Sequence, residues 1–275
     1  MSNEQRLTVL VTCHDRCRKT KECLYSLDDP GMDMNYIAVD DGCTDGTRDM
    51  LQEFGADRNR TVDIISGDGT LFWAGGMRLA MEKCMRDEPM PDHLLLINDD
   101  VVFFDKAPEK MLKCSMEHGG VCVAGAVCDT DGRRSYGGVR YDMRRVKSKV
   151  IDIGDKDLKC DAANMNAFLL TRDAFLATGV FDSHYVHSMA DFDHCFELRR
   201  NGFEIYMTDE YVGKCEKNVS RWNDTGLSRL ERLRLKESPK GLPRKEWFYY
   251  LKKNFGTGAA VWHSLTPYIR IIAGR

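Results

Sequence analysis

Asn98-Asp99-Asp100, followed by the apolar run Val101-Val-Phe-Phe104, places two adjacent carboxylates and an amide oxygen in one short loop. Oxygen donors of this kind suit a hard divalent ion that also ligates phosphate. Paired aspartates are common in turns too, so the motif alone admits both readings. Asp40-Asp41-Gly42 is a second acidic pair. Its carboxylates suit hydrogen bonds from a nucleobase imide or from ribose hydroxyls, and they equally suit a turn ahead of a helix cap. Gly67-Asp68-Gly69 and the segment from Thr12 to Asp15 are two further polar loops, and His184 and His187 read as residues of a loop or of a pocket wall before Asp191.

The elements that would position these loops follow from hydrophobic pattern. Short β-branched or apolar runs at residues 7–12, 36–39, 62–66, 93–97 and 121–126 predict strands. Helices are predicted near residues 16–27, from Thr44–Thr47 to about Phe54 with a Thr or Asp as N-cap, and at about 73–86. Strands alternating with such helices imply an α/β fold, a mostly parallel sheet with helices on both faces. The four polar loops each follow a predicted strand. They therefore gather at the carboxyl rim, where open parallel sheets bind ligands.

Beyond residue 130 the pattern changes. Residues 136–141 and 146–153 read as short antiparallel strands, and 167–171 as a strand leading into a helix at about 172–178. A helix is predicted at 190–201, closed by Gly202 as C′ residue, and a further strand at 203–207. Residues 213–275 read as a partly helical extension, with Pro239, Pro243 and Pro267 as breaks. The predicted organisation is a main unit over 1–212, with halves at 1–130 and 131–212, followed by that extension.

Composition narrows the class. The chain has 275 residues, 43% hydrophobic and 30% charged, enough to bury a core without staples. No apolar stretch reaches the ~18 residues a membrane helix needs. The opening residues Met-Ser-Asn-Glu-Gln-Arg lack the apolar core of a signal peptide. Eleven scattered cysteines without a Cys-x-x-Cys pair then read as reduced thiols of a cytoplasmic protein. The net charge of −3 hides an asymmetry: residues 213–275 hold 14 Lys and Arg against 5 Asp and Glu. That excess suggests an anionic partner, a membrane surface or a phosphorylated substrate, or else neutralisation of an acidic body. A nucleic-acid role is not expected, because the basic tail has no recognisable binding module.

Taken in order, the segments resemble the family 2 glycosyltransferases of the GT-A fold. The matching stretches are Val11-Thr12 through Arg16, Val39-Asp-Asp-Gly-Cys-Thr-Asp-Gly-Thr47, Gly67-Asp-Gly-Thr-Leu-Phe-Trp-Ala-Gly-Gly-Met77 and Leu96-Ile-Asn-Asp-Asp-Val101. Asn164-Met-Asn-Ala-Phe-Leu-Leu-Thr171, Gly179-Val-Phe-Asp182 and Ala190-Asp-Phe-Asp-His194 follow in the family's order. Trp222-Asn-Asp224 and Ser238-Pro-Lys-Gly-Leu-Pro243 look like the tail of polysaccharide-assembly members, including rhamnosyltransferase-like ones.

The resemblance implies that 1–212 is the catalytic domain, with 1–130 the nucleotide-sugar-binding half and 131–212 the acceptor-side half, and it implies a set of residue roles. Thr12, Asp40 and Asp41 would hold the base and ribose of a UDP- or dTDP-sugar. Asp68, Trp73, Gly75, Gly76 and Arg78 would approach the nucleotide or diphosphate, with Asn98 and Asp99 beside them. Asp100 would be the direct ligand of Mn2+ or Mg2+, and Asp191 the general base. A single positioned base opposite the leaving group implies one displacement with inversion at the anomeric carbon. The acceptor would be a glycan or a lipid-linked glycan of surface polysaccharide assembly, with peripheral membrane association through the basic tail.

Some positions depart from the family pattern. Ala190 stands where Glu is frequent, Glu197 where Arg is common, and Arg78 where Asn is common. Gly213-Lys-Cys-Glu216 occupies the place of a late histidine metal ligand, so a Cys, a Glu or water would substitute. Two alternatives share the sheet. A sugar-1-phosphate nucleotidyltransferase would want a Gly-rich basic loop where Cys13-His14-Asp15-Arg16 stands. A non-catalytic nucleotide-sugar or glycan-binding protein would not need Asp100 and Asp191 together.

Overall fold

A computed structural model describes residues 5–218 and 221–274; Met1–Glu4, Val219, Ser220 and Arg275, which fall within the N-terminal reading and the extension, lie outside them. The first half alternates as the pattern predicts: β1 (Leu7–Cys13), α1 (Cys17–Leu27), β2 (Met34–Asp40), α2 (Thr47–Arg58), β3 (Val62–Ser66), α3 (Phe72–Arg86) and β4 (His93–Asn98). After it come β5 (Val102–Phe103), α4 (Ala107–Glu117), β6 (Cys122–Cys128), β7 (Arg134–Tyr136), β8 (Gly138–Asp142) and β9 (Lys147–Val150). β10 (Lys159–Cys160), β11 (Ala162–Ala163), β12 (Ala167–Thr171), α5 (Arg172–Thr178), α6 (Ala190–Arg200) and β13 (Ile205–Lys214) complete the sheet region. The extension forms α7 (Arg229–Glu237), α8 (Arg244–Phe255) and α9 (Thr257–Ile272).

The main sheet runs β10-β13-β6-β12-β4-β1-β2-β3, while β8 pairs with β9 and β11 in a small separate sheet. Strands β4, β1, β2 and β3 are parallel neighbours, and β12 enters antiparallel between β4 and β6. β1 is central and buried along its whole length. Its alternation divides the core, because side chains of a strand point alternately to the two faces. Leu10 joins α3, α5 and α6 on one face, and Leu7, Val9, Val11 and Cys13 join α1, α2 and α4 on the other.

Several local expectations are corrected. The N-cap of α2 is neither Thr nor Asp but Gly46, at a φ of 85°; Asp45, one residue earlier, accepts from Thr47 Oγ1 (2.6 Å), the Thr47 N–H (3.3 Å) and the Cys17 N–H (2.7 Å). α4 is a helix absent from the elements predicted above; Pro108 in its first turn and the apolar Met111 and Leu112 are its signals. β13 extends to Lys214, well past the strand expected at 203–207. Pro267 does not break α9. A proline there removes the N–H that His263 O would have received, and Trp247 Nε1 (3.2 Å) and Thr266 Oγ1 (2.9 Å) donate to that carbonyl instead. Gly202 does close α6, at a φ of 87°.

The aromatic run of α8 packs inward. Tyr250 and Leu251 are fully buried in the same core cluster as Phe196, with Trp247, Phe248, Tyr249 and Phe255 packed against it.

Candidate active site

The ends of β1, β2, β3 and β4 bring the predicted loops to one rim. Register places Cys13 beside Asp40, Asp40 beside Ser66, and Thr12 beside Asn98. Asp99 lies beneath this rim with 1% of its surface exposed. Burial pushes its carboxyl up to about 6, although the Arg16 guanidinium opposes the shift. Arg16 donates to Asp99 and, at 2.8 Å, to Asp100 Oδ2, while Thr20 Oγ1 donates to Asp99 Oδ2 at 3.3 Å. Asp99 is thus enclosed by protein donors, and Asp100 faces outward.

Beside Asp100 is a cavity of about 200 Å³, lined also by Glu22, Lys19, Lys214, Cys215, Glu216 and Asn218. Cys215 Sγ lies 3.5 Å from Asp100 Oδ1. Among the described residues, three candidate ligand atoms converge only at the partly exposed set Asp15, Cys43 and Asp45, not around Asp100. A centre with one carboxylate and open neighbouring positions fits Mg2+ or Mn2+. Such ions are commonly held by one or two carboxylates, with substrate phosphates and water filling the rest.

Asp40 and Asp41 diverge. Asp40 accepts from the Cys43 N–H at 3.0 Å and from Arg48 Nε at 3.1 Å, and Arg48 also reaches Ser66. Asp41 is 1% exposed and accepts the backbone N–H groups of Gly69 (2.8 Å), Leu71 (3.3 Å) and Phe72 (3.1 Å). Those donors sit at the start of α3, where a helix leaves N–H groups unsatisfied. Asp41 therefore organises the turn into α3 by a long-range contact. Asp68 is exposed, and hydrogen bonds from the Thr70 hydroxyl and N–H hold its carboxyl below the usual range.

Gly75 and Gly76 face different surroundings. A Cβ on Gly76 would lie 2.4 Å from Thr12 Cγ2, so this glycine lets α3 press against β1. A Cβ on Gly75 would meet Leu71 Cβ at 3.4 Å, an ordinary contact. Thr12 Oγ1 and Trp73 Nε1 are buried without a hydrogen-bond partner among the described residues, and the Trp73 ring packs on Phe181 at a centroid distance of 5.3 Å. Arg78 Nη1 reaches Tyr185 O at 3.4 Å.

Asp191 stands in the first turn of α6, half-buried, and burial pushes its carboxyl up to about 6. Asn164 Nδ2 donates to its Oδ2 at 3.4 Å, and its own Phe192 N–H to Oδ1 at 2.9 Å. Asp193 is committed elsewhere, accepting from Lys253 Nζ and Asn254 Nδ2, each at 2.7 Å. The connection before α6 joins Asp191 to the donor side: Ala74 N donates to Val186 O at 3.2 Å, and Phe72 packs edge-on against His187. His184 instead stacks on Tyr249 at 3.9 Å, away from the Phe72 contact.

Arg16 and Asn164 fall within the family-like motifs with no role expected of either, and Thr20 and Arg48 lie outside those motifs. A signal existed for Arg16, which sits three residues past the end of β1 like the other rim residues. The partners of Arg48 and Asn164 come from distant segments.

Residues 8–175 match the family described as Glycosyl transferase family 2. No curated protein matches the sequence. Among solved structures, the fold is similar to the mannosyltransferase PcManGT from Pyrobaculum calidifontis, in complex with GDP-Man and Mn2+. The TM-score is 0.63 at 12% identity, over 99% of this chain and 74% of that one. It is similar also to S. aureus TarS 1-349 in complex with UDP-GlcNAc, with TM-score 0.59 and 13% identity over 98% and 93% of the two chains. A third, GalNAc-T7 with UDP, GalNAc and Mn2+, has TM-score 0.58 and 12% identity, over 77% of this chain but only 43% of that one. The shared architecture is the GT-A fold, and the family match covers the β1, β2 and β4 rim. The chain belongs to glycosyl transferase family 2.

Proposed function

We propose that this protein is an inverting, divalent-metal-dependent glycosyltransferase that moves a sugar from a UDP- or dTDP-sugar to a hydroxyl of a glycan or lipid-linked acceptor. The observation that carries the reading is Asp191, a half-buried carboxylate with its pKa lifted to about 6 and its orientation set by Asn164. A general base works best with a pKa near the operating pH. Asp193, two residues on, is already bound to Lys253 and Asn254 and is not free for that role.

The acceptor hydroxyl attacks the anomeric carbon while Asp191 takes its proton, and the bond to the nucleoside diphosphate breaks on the opposite face. Asp100 would hold Mn2+ or Mg2+, which when bound supplies Lewis-acid stabilisation of the diphosphate's developing charge. Arg16, already beside Asp100, is placed to add positive charge at the same oxygen-rich centre. Asp40, with Thr12 and Trp73, would receive the base and ribose. Asp41 and Gly76 act behind them by holding α3 in place. The catalytic unit over 1–212 would use the cytoplasmic donor pool; all eleven cysteines are free thiols, which suits a reducing compartment. With a lipid-linked acceptor of surface polysaccharide assembly, the extension would keep the enzyme peripherally at the membrane.

A thermal-shift panel of UDP, dTDP, GDP and nucleoside triphosphates, with and without Mn2+, tests the donor class. Stabilisation by UDP or dTDP that requires the metal supports the reading. Preference for a triphosphate would replace it with nucleotidyl transfer.

A further inference from the structure

α9 exposes an apolar stripe that nothing among the described residues covers. Ala260, Ser264, Pro267 and Ile271 turn into the protein. Val261 (53% exposed), Trp262 (67%), Leu265 (53%), Ile269 (57%) and Ile272 (64%) turn out. At 100° per residue these five fall within one face of about 100°. They make up five of the twelve large hydrophobic residues found exposed among those described, and the other seven are dispersed over other elements. A stripe so concentrated is a contact surface rather than ordinary surface scatter.

The charges around the stripe select its occupant. From residue 238 to the end of the sequence, Glu246 is the single acidic residue against seven Lys and Arg. Glu246 is half-buried, with its Oε2 3.4 Å from the Val186 N–H. Lys253 also points inward, onto Asp182 and Asp193. Over that span the exposed charged residues among those described are Lys240, Arg244, Lys245, Lys252, Arg270 and the inward-bound Lys253, all positive; the nearest exposed acid is Glu237 of α7, which accepts from the Tyr268 hydroxyl of α9. A 16-residue helix is about 24 Å long, short of the ~30 Å hydrocarbon core, and no helix among the described residues is long and apolar enough to cross a membrane. An apolar stripe with a tryptophan, a predominantly basic surround and insufficient length is the pattern of a helix lying in the plane of an anionic lipid surface.

We infer that the Val261–Ile272 face of α9 docks this enzyme on an anionic lipid bilayer, with Lys240, Arg244, Lys245, Lys252 and Arg270 meeting lipid phosphate. The inward packing of Trp247, Phe248 and Tyr249 removes most of the preceding aromatic-basic run from that surface. This deepens the acceptor-side part of the proposed function.

The test uses no donor and reads no transfer, so its failure and the failure of the transferase reading are separate events. Full-length protein is co-sedimented with vesicles of phosphatidylcholine alone, and of phosphatidylcholine mixed with phosphatidylglycerol, at low and high salt. Recovery is expected on the mixed vesicles and should fall with salt. W262S/I269S alters two exposed side chains, so circular dichroism should be unchanged while binding weakens about tenfold. K245Q/K252Q should reduce the salt dependence while leaving the fold intact. Equal recovery on both vesicle types, or full binding by the serine variant, overturns the inference. Sedimentation equilibrium without lipid provides the remaining check: a dimer abolished by W262S/I269S would assign the stripe to a second copy of the chain instead.

Discussion

Lys253 of α8 lies 2.7 Å from Asp193 Oδ2 of α6. The same ammonium reaches Asp182 Oδ2 at 3.0 Å, so one side chain of the extension ties together the helix bearing Asp191 and the connection that precedes it. The extension is thereby part of the frame that orients the proposed base.

Lys253→Met keeps the aliphatic stem and leaves both carboxylates without that partner. Removing one member of a buried ion pair is costly, and with Lys253 a quarter exposed the expected loss is about 2 kcal/mol in urea denaturation at pH 7. Burial alone would raise the Asp182 pKa, but hydrogen bonds from His184, Tyr249 and Lys253 outweigh it and hold the group below the usual carboxylate range. A depressed carboxylate contributes stability above its unfolded pKa of about 3.9, and that stability is lost as pH falls through the folded value. The gap between wild type and variant should therefore narrow in acid. A gap independent of pH would show that lost packing, and not the ion pair, is responsible.

Asp191→Asn should reduce turnover by about 10² or more while leaving nucleotide affinity nearly intact, the usual scale for a lost general base. In the wild type, turnover should rise with pH through about 6, as the carboxylate loses its proton. Stability should move the other way. Because the folded pKa lies above the unfolded one, the folded state holds the proton more tightly, and stability falls as pH rises from about 4 to about 6. The Asn variant should accordingly be more stable than wild type at neutral pH, on the order of 1 kcal/mol, and lose that advantage near pH 4. Near-normal transfer by the variant would remove Asp191 from the mechanism.

Asp100→Ala should abolish Mn2+-dependent binding of the nucleoside diphosphate. Asp99→Ala should weaken binding less but lower the melting temperature more. Asp100 faces the cavity, whereas Asp99 is 1% exposed and secures Arg16 and Thr20. Calorimetric titration with Mn2+ present, paired with thermal denaturation, separates the two roles. Equal loss of affinity in both variants would make Asp99 a ligand as well.

Gly76→Ala should destabilise the fold by about 1–3 kcal/mol, the range for overpacking a core. The added Cβ would lie 2.4 Å from Thr12 Cγ2 and 2.5 Å from its Oγ1, between α3 and β1. Thr12→Ala should rescue much of that loss in the double variant, since it removes the two closest contacting atoms and leaves only the Thr12 Cβ at 3.0 Å, and a double-mutant cycle in urea measures the coupling. Additive effects would place the strain elsewhere than at Thr12.

The sequence by itself determined the strand–helix alternation through β4, the four polar loops on one rim, the acidic pairs, and the ordered motifs of the family. These are short-range properties: strand and helix periods, turn residues and local spacing are written within ten or fifteen consecutive residues. It also marked Asp191 as the expected base, through its place in Ala190-Asp-Phe-Asp193. That Asp193 is already bound is visible only in the tertiary structure, because the Lys253 and Asn254 groups that hold it lie some sixty residues away. The same holds for Asp40 and Asp41, adjacent and chemically identical: one is bound by Arg48, the other by the backbone at the start of α3. The aromatics of the extension divided likewise, Tyr250 going into the core and Trp262 remaining outside. Side-chain chemistry is local, but burial and hydrogen-bond partners depend on which distant segments meet, and that is settled only when the whole chain packs.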